Sequence, residues 1–353
     1  MNISVTRAET MKEKPEASKL GFGKYFTDHM FMMDYTPDKG WYDARIVPYG
    51  NLSLSPACTA LHYGSEIFEG LKAYRCPDGS VQLFRPIENV LRMNRSAERL
   101  CLPTIPEEDL LQAITALVDM ERDWVPSEPG TSLYIRPFLF GNDESLGVHS
   151  VQHATFVIIL SPVGSYYKEG LNPVRIMIED QDVRAVRGGT GEAKCGGNYA
   201  ASNRAGDRAE KKGYSQVLWL DGVERKYIEE VGAMNVMFLI NGTVVTPKLT
   251  GSILPGITRK SIIELLKDEG RKVEERLLSV DELAAAMADG SLEEAWGCGT
   301  AAVVSPIGEL CYKDQVYIVN EGRIGALTQH LYDTLTGIQW GKAEDRFNWT
   351  VRV

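Results

Sequence analysis

The sequence predicts an α/β protein, α+β by some schemes, built as two domains, and three observations point there. The chain has 353 residues, too many for one ordinary core and suited to two of roughly 150 each. Apolar runs of strand length alternate with stretches of helical period in both halves. Just past the middle, one lysine sits among five glycines in Gly188-Gly189-Thr190-Gly191-Glu192-Ala193-Lys194-Cys195-Gly196-Gly197-Asn198-Tyr199. The expected division is a tail at 1–20, a small α/β domain at 21–168, a linker at 169–181 and a large domain at 182–353.

Hydrophobic residues make up 44% of the chain and charged residues 24%, enough apolar material for two cores. Lys and Arg total 38 against 48 Asp and Glu, a net charge of −10. That balance opposes nucleic acid or anionic lipid as a general partner and leaves room for a local basic pocket holding a small anion. Six cysteines lie far apart with no C-x-x-C pair, so they read as reduced, mostly buried thiols, and no metal site is expected. Met1 to Leu20 is polar and carries Glu9, Glu13 and Glu16, unlike a secretion signal or a transit peptide, and no apolar run reaches bilayer length. A short, loosely ordered tail and a cytoplasmic location follow as expectations.

Gly21 to Tyr35 reads as an early strand, within which Asp28 and His29 form either an orienting pair or ordinary packing. From Leu61 to Arg75, aromatics and charges alternate; bringing Tyr63, Phe68 and Lys72 together would make a half-polar pocket wall, and the alternative is a plain amphipathic segment. Pro86 opens a helix to Leu100 with arginines at 92, 95 and 99, a solvated face unless one turns inward to clamp phosphate. A second helix runs from Glu107 to about Trp124. In the strand Ser132 to Phe140, Tyr134 and Arg136 share one face and can grip a carboxylate. A loop at 141–148 leads to a β-like run, Ala154 to Leu160, and a Gly-, Tyr- and Lys-bearing segment at 164–170.

The second half reads as a helix near 199–212 and strands at Gln216 to Leu220, Asn235 to Ile240 and Thr243 to Thr246, the last two joined by Asn241-Gly242. Leu254-Pro255-Gly256-Ile257-Thr258 opens a helix to about Glu269; a helix start with glycine and a hydroxyl readily binds an anion. Trp296-Gly297-Cys298-Gly299-Thr300-Ala301 is a second glycine-flanked turn with a hydroxyl. Neither turn is specific alone, and each by itself reads as a plain loop rather than a site. The lysine loop alone is either a surface loop or an amine held for chemistry with a carbonyl.

Taken together, the Lys194 loop, Glu230-Val231-Gly232, Leu254-Pro255-Gly256-Ile257-Thr258 and Gly297-Cys298-Gly299-Thr300-Ala301 resemble the fold-type IV pyridoxal-phosphate enzymes. With Phe68-Glu69-Gly70-Leu71-Lys72-Ala73 and Ser132 to Pro137 added, the chain resembles the branched-chain amino acid aminotransferases of class IV from about residue 21 onward. The resemblance implies an active site at the domain interface and a reversible transfer of the amino group of L-leucine, L-isoleucine or L-valine to 2-oxoglutarate, through a pyridoxamine intermediate.

The same resemblance implies that Lys194 forms the Schiff base with pyridoxal 5'-phosphate and shuttles the proton. Glu230 would face the ring nitrogen and Tyr199 the phenolic oxygen, with the phosphate among Arg92, Ile257, Thr258 and Thr300. Thr300, Ala301 and Tyr63 would hold the α-carboxylate. Phe22, Phe68 and Tyr134 would wall the side-chain pocket, Arg136 would take glutamate's distal carboxylate, and Leu146 and Val148 would reach in from the partner of a homodimer. Three departures stand out: Ala302 and Ser305 replace the C-x-x-C of mammalian relatives, which predicts no thiol switch; Ala233 replaces a threonine of some relatives; and Glu229 beside Glu230 offers a second candidate for the ring, with the Glu-Val-Gly match favouring Glu230. The alternatives are a D-amino acid transaminase or an aminodeoxychorismate lyase-like enzyme of the same fold, or a non-catalytic carrier of the cofactor.

Overall fold

A computed structural model of the chain describes residues 1–164 and 171–353. Its contacts divide it into two units. The first takes the described residues up to 164 with Ala193–Gly196 and Gly337–Val353; the second takes those from 171 to Glu192 and Gly197–Thr336. Lys194 and the C-terminal 17 residues, expected in the large domain, thus group with the first unit.

The first unit is a sheet covered by helices. Its strands are β1 (Ser4–Val5), β2 (His29–Thr36), β3 (Gly40–Pro48), β4 (Glu66–Phe68), β5 (Leu71–Arg75), β6 (Val81–Phe84), β7 (Ser132–Gly141), β8 (Ala154–Val163) and, last in the chain, β18 (Thr350–Arg352). They run in the order β1-β3-β2-β8-β7-β5-β6-β18, with β4 on β7. All pairings are antiparallel except β1 with β3. Besides the short α1 (Thr59–Tyr63), the unit has α2 (Pro86–Arg99), which begins on a proline with Glu88 in its first turn and ends on Arg99, as the macrodipole favours. On α3 (Glu107–Met120), Leu110, Ala113, Ile114 and Leu117 are buried at helical spacing. Each such leucine or isoleucine contributes about 1.5–3 kcal/mol by leaving water. They meet Phe31, Ile135 and Phe156 of the sheet in one core.

The N-terminal stretch is tied down rather than loose. Its β1 pairs with β3, the Met1 ammonium lies 2.9 Å from Asp109, the Ala8 N–H donates to His29 Nε2 at 2.8 Å, and the Lys12 N–H donates to Asp28 at 2.7 Å. Asp28 also accepts from the Trp124 indole at 2.7 Å, and His29 Nδ1 faces Glu121. Asp28 and His29 are therefore structural residues that bind the tail, each through its own partners.

The second unit contains β9 (Val174–Glu179), β10 (Gln216–Leu220), β11 (Ile228–Val231), β12 (Met234–Ile240), β13 (Thr243–Pro247), β14 (Val273–Arg276), β15 (Leu292–Gly299), β16 (Val303–Tyr312) and β17 (Gln315–Ile318). The order is β11-β10-β9-β16-β15-β12-β13-β14, with β17 on β16; β11 also pairs with β12, so six strands close on themselves. Closure removes edges that would otherwise need covering. The helices are α4 (Gly196–Lys211), α5 (Ile257–Asp268), α6 (Val280–Asp289) and α7 (Ala326–Gln339); α5 packs on β14 and β15. The stretch expected as linker holds β9, whose Ile176 to Glu179 are buried. The expected segment at 164–170 lies, beyond Gly164, outside the described residues, as do the first two residues of the expected linker. All six cysteines are free, and five are buried. Among the described residues no helix is long and apolar enough to cross a membrane.

Candidate active site

In the first unit the sheet presents a cluster around Lys194. The main chain is pinned on both sides of it: its N–H donates to Ser96 Oγ at 3.0 Å, its carbonyl accepts from the Phe68 N–H at 3.0 Å, and the Gly196 N–H donates to Glu66. The ammonium lies 4.9 Å from the centre of the Phe68 ring. As a residue Lys194 is partly exposed, yet its amine is enclosed by protein. Loss of hydration, helped by the Arg92 charge, lowers its pKa to about 8 against the opposing pull of Glu69. At pH 7 about a tenth of such an amine is neutral, against about one in three thousand for an ordinary lysine.

Around it stand the residues singled out on β4, β5 and β7. Arg136 donates to the Glu69 carbonyl at 3.0 Å and to the Tyr134 hydroxyl at 3.1 Å, and its guanidinium stacks 4.7 Å from the Phe68 ring centre. Phe22 meets Tyr134 edge to face at 4.9 Å. A side chain at Gly70 would overlap the Tyr134 hydroxyl, so the glycine is what lets that tyrosine lie against the link between β4 and β5. Phe22, Phe68, Tyr134, Arg136 and Lys194 are thus brought together.

Arg92 is differently placed than a free phosphate clamp: its guanidinium forks onto buried Glu69, Nε to Oε1 at 2.7 Å and Nη2 to Oε2 at 2.8 Å. An arginine buried on α2 needs an anion, and Asn89 at 2.8 Å helps to hold that one. Glu69, Glu66 and Ser96 carried no signal in the sequence beyond lying in the matched run, in the alternating stretch Leu61 to Arg75, or beside Arg95. Tyr63 ends α1 and is exposed; its hydroxyl donates to the Leu146 carbonyl of the same chain. Leu146 and Val148 are 69% and 81% exposed.

The second unit gathers the remaining residues. Glu230, buried on β11, accepts from the Leu254 N–H at 2.9 Å and pairs with Arg184 at 2.9 Å. Asn235 donates to the Leu254 carbonyl at 2.9 Å and to Glu230 at 3.4 Å, so the carboxylate is tied to the turn that opens α5. That helix begins at Ile257 and Thr258, both buried, and Gly256 at its N-cap offers no side-chain cap to the first N–H groups. Glu229 faces the other way, accepts from Ser252 Oγ, and burial raises its pKa. Tyr199 is half-buried in the first turn of α4, where Asn198 and Thr190 bond each other at 2.8 and 2.9 Å and close the glycine loop.

Thr300 and Ala301 are half-buried in the turn between β15 and β16, where Gly299 faces Val303. Val303 adopts φ +63°, and the Val304 N–H reaches back to the Ala302 carbonyl at 2.8 Å. A left-handed backbone at a β-branched residue is strained and concentrates at functional turns. Ala302 and Ser305 are buried, and burial pushes the Cys298 thiol up to about 12. Ala233 is exposed in the turn between β11 and β12.

This donor set fits pyridoxal 5'-phosphate: an amine that is part neutral, a buried carboxylate paired with an arginine, and a helix start with open N–H groups for a phosphate. The amino-transferase class IV family model matches residues 66–310. Branched-chain-amino-acid aminotransferase 2 of Bacillus subtilis is 56% identical over 99% of this chain and 97% of its own, and a branched-chain-amino-acid aminotransferase of Mycolicibacterium smegmatis is 46% identical over 94% and 92%. Among solved structures, the branched-chain enzyme of Escherichia coli superposes with a TM-score of 0.77 at 28% identity, covering 92% of this chain and 98% of that one. A T.th. relative complexed with N-(5'-phosphopyridoxyl)-L-glutamate gives 0.74 at 26% identity over 92% and 97%. The chain belongs to the class IV amino-transferase family, and within it to the branched-chain-amino-acid aminotransferases.

Proposed function

We propose that the protein moves the amino group of L-leucine, L-isoleucine or L-valine reversibly to 2-oxoglutarate, with pyridoxal 5'-phosphate as its cofactor. When bound, that group supplies an aldehyde carbon for the amino group and a ring that accepts the electron pair released at the substrate Cα. Lys194 would take the Cα proton and deliver it to the cofactor's aldehyde carbon, which its lowered pKa makes feasible near neutral pH. Glu230, paired with Arg184, would face the ring nitrogen and favour its protonated form, and Tyr199 would bond the phenolic oxygen. The open N–H groups at Ile257 and Thr258 would hold the phosphate with Thr300, whereas Arg92 is committed to Glu69.

Thr300, Ala301 and Tyr63 orient the substrate α-carboxylate. Phe22, Phe68 and Tyr134 exclude water from a branched side chain, while Arg136 takes the distal carboxylate of glutamate, so one pocket serves both substrates. Exposed Leu146 and Val148 support a homodimer in which each copy contributes them to the other's site. Acidic composition and six free cysteines support a cytoplasmic location. The observation that carries the proposal is the enclosure of the Lys194 amine by Phe68, Tyr134 and Arg136.

The test is glutamate formation by purified protein with pyridoxal 5'-phosphate and 2-oxoglutarate, offered L-leucine, D-alanine or buffer. Glutamate from L-leucine alone is the expected result. Turnover with D-alanine alone would reverse the substrate face, and no turnover with cofactor bound would sink the proposal.

A further inference from the structure

Two carboxylates stand side by side on β11, and consecutive strand residues point to opposite faces. Glu229 turns toward the Ser252 hydroxyl and Glu230 toward Arg184, so the two carboxylates differ in their partners.

 

Glu230 is met by Arg184, whose Nε lies 2.9 Å from its Oε2. Glu229 is met by the Ser252 hydroxyl, its Oε2 is buried without a hydrogen-bond partner among the described residues, and the cavity it lines, about 290 Å³, also holds Tyr227, Lys248 and Thr250.

The same guanidinium does more than pair with Glu230. Its Nη2 donates to the Gly191 carbonyl at 3.0 Å and to the Ser252 carbonyl at 2.5 Å. A side chain at Gly191 would overlap the Ser252 main chain, so those two segments touch backbone to backbone. One buried arginine therefore joins the glycine loop that leads to Lys194, strand β11 and the turn before α5. Its charge cannot fully compensate two adjacent buried carboxylates, and the direct ion pair goes to Glu230.

Resting on the proposed function, we infer that Arg184 is a positioning residue: it pairs with Glu230 and aims it, and fixes the loop through Gly191, leaving Glu229 outside the cofactor's reach. The variants Arg184→Met, Arg184→Lys and Arg184→Met with Glu230→Gln test it. Three readouts apply: affinity of the apoprotein for pyridoxal 5'-phosphate by tryptophan quenching, the pH titration of the bound cofactor's absorbance, and the melting temperature of the apoprotein.

Arg184→Met should weaken cofactor binding about tenfold or more and displace the absorbance titration, because it leaves a buried carboxylate uncompensated. Arg184→Lys should restore part of both. The double variant should regain the apoprotein melting temperature that Arg184→Met loses, while its cofactor binding stays weak. Wild-type affinity and an unmoved titration in Arg184→Met would overturn the inference alone. Should that variant fail to fold, an unmoved titration in Arg184→Lys overturns it instead. Wild-type protein that binds no cofactor would overturn the proposed function along with it.

Discussion

The Lys194 ammonium is costly where it stands, because water is replaced by Phe68 and by the flanking arginines. Lys194→Ala should therefore abolish glutamate formation while the circular dichroism and melting temperature of the apoprotein persist; turnover in that variant would remove the lysine from the chemistry. Arg136→Ala should raise KM for glutamate far more than for leucine, since its guanidinium is the cation beside Tyr134, and equal changes would end its distal-carboxylate role. These residues were legible because glycines and a strand period mark them locally. The fork of Arg92 onto Glu69 and the pairing of Arg184 with Glu230 were not, since each joins residues far apart in sequence through burial. Val303 hid its left-handed backbone behind a residue type that seldom adopts one.

On β5, Lys72 is buried opposite Tyr134 of β7, and burial lowers its pKa to about 8. A lysine so lowered costs stability while it is protonated in both folded and unfolded chains, below pH 8. The cost fades between about pH 8 and 10.5 as the folded-state amine is already neutral and the unfolded one loses its proton. Lys72→Met should thus raise the apoprotein's stability, and with it the melting temperature, at pH 7 by at most about 3–4 kcal/mol, and lose the gain above about pH 10.5. A gain that does not change with pH would show that packing, not charge, is responsible. Helices α2 and α3 were legible from caps and spacing, whereas β9 was read as linker because it opens on the poorly buried Val174 and Arg175 before its apolar run.

For the whole molecule, the expected homodimer makes Leu146 and Val148 the residues to disturb. Leu146→Asp combined with Val148→Asp should lower the sedimentation coefficient to that of a monomer and reduce turnover, because a buried interface does not accept unpaired charge. A dimer that survives with full activity would remove the loop from the interface. The division into units was only partly legible, since contact rather than chain order assigns Ala193–Gly196 and Gly337–Val353 to the first. In that unit, β1 and β18 are the outermost strands of one sheet, so segments near opposite ends of the sequence stand guard over its two open flanks. Proteolytic trimming at either end would uncover unpaired backbone on β3 or β6, and the expected outcome is self-association through those flanks rather than simple loss of a few contacts.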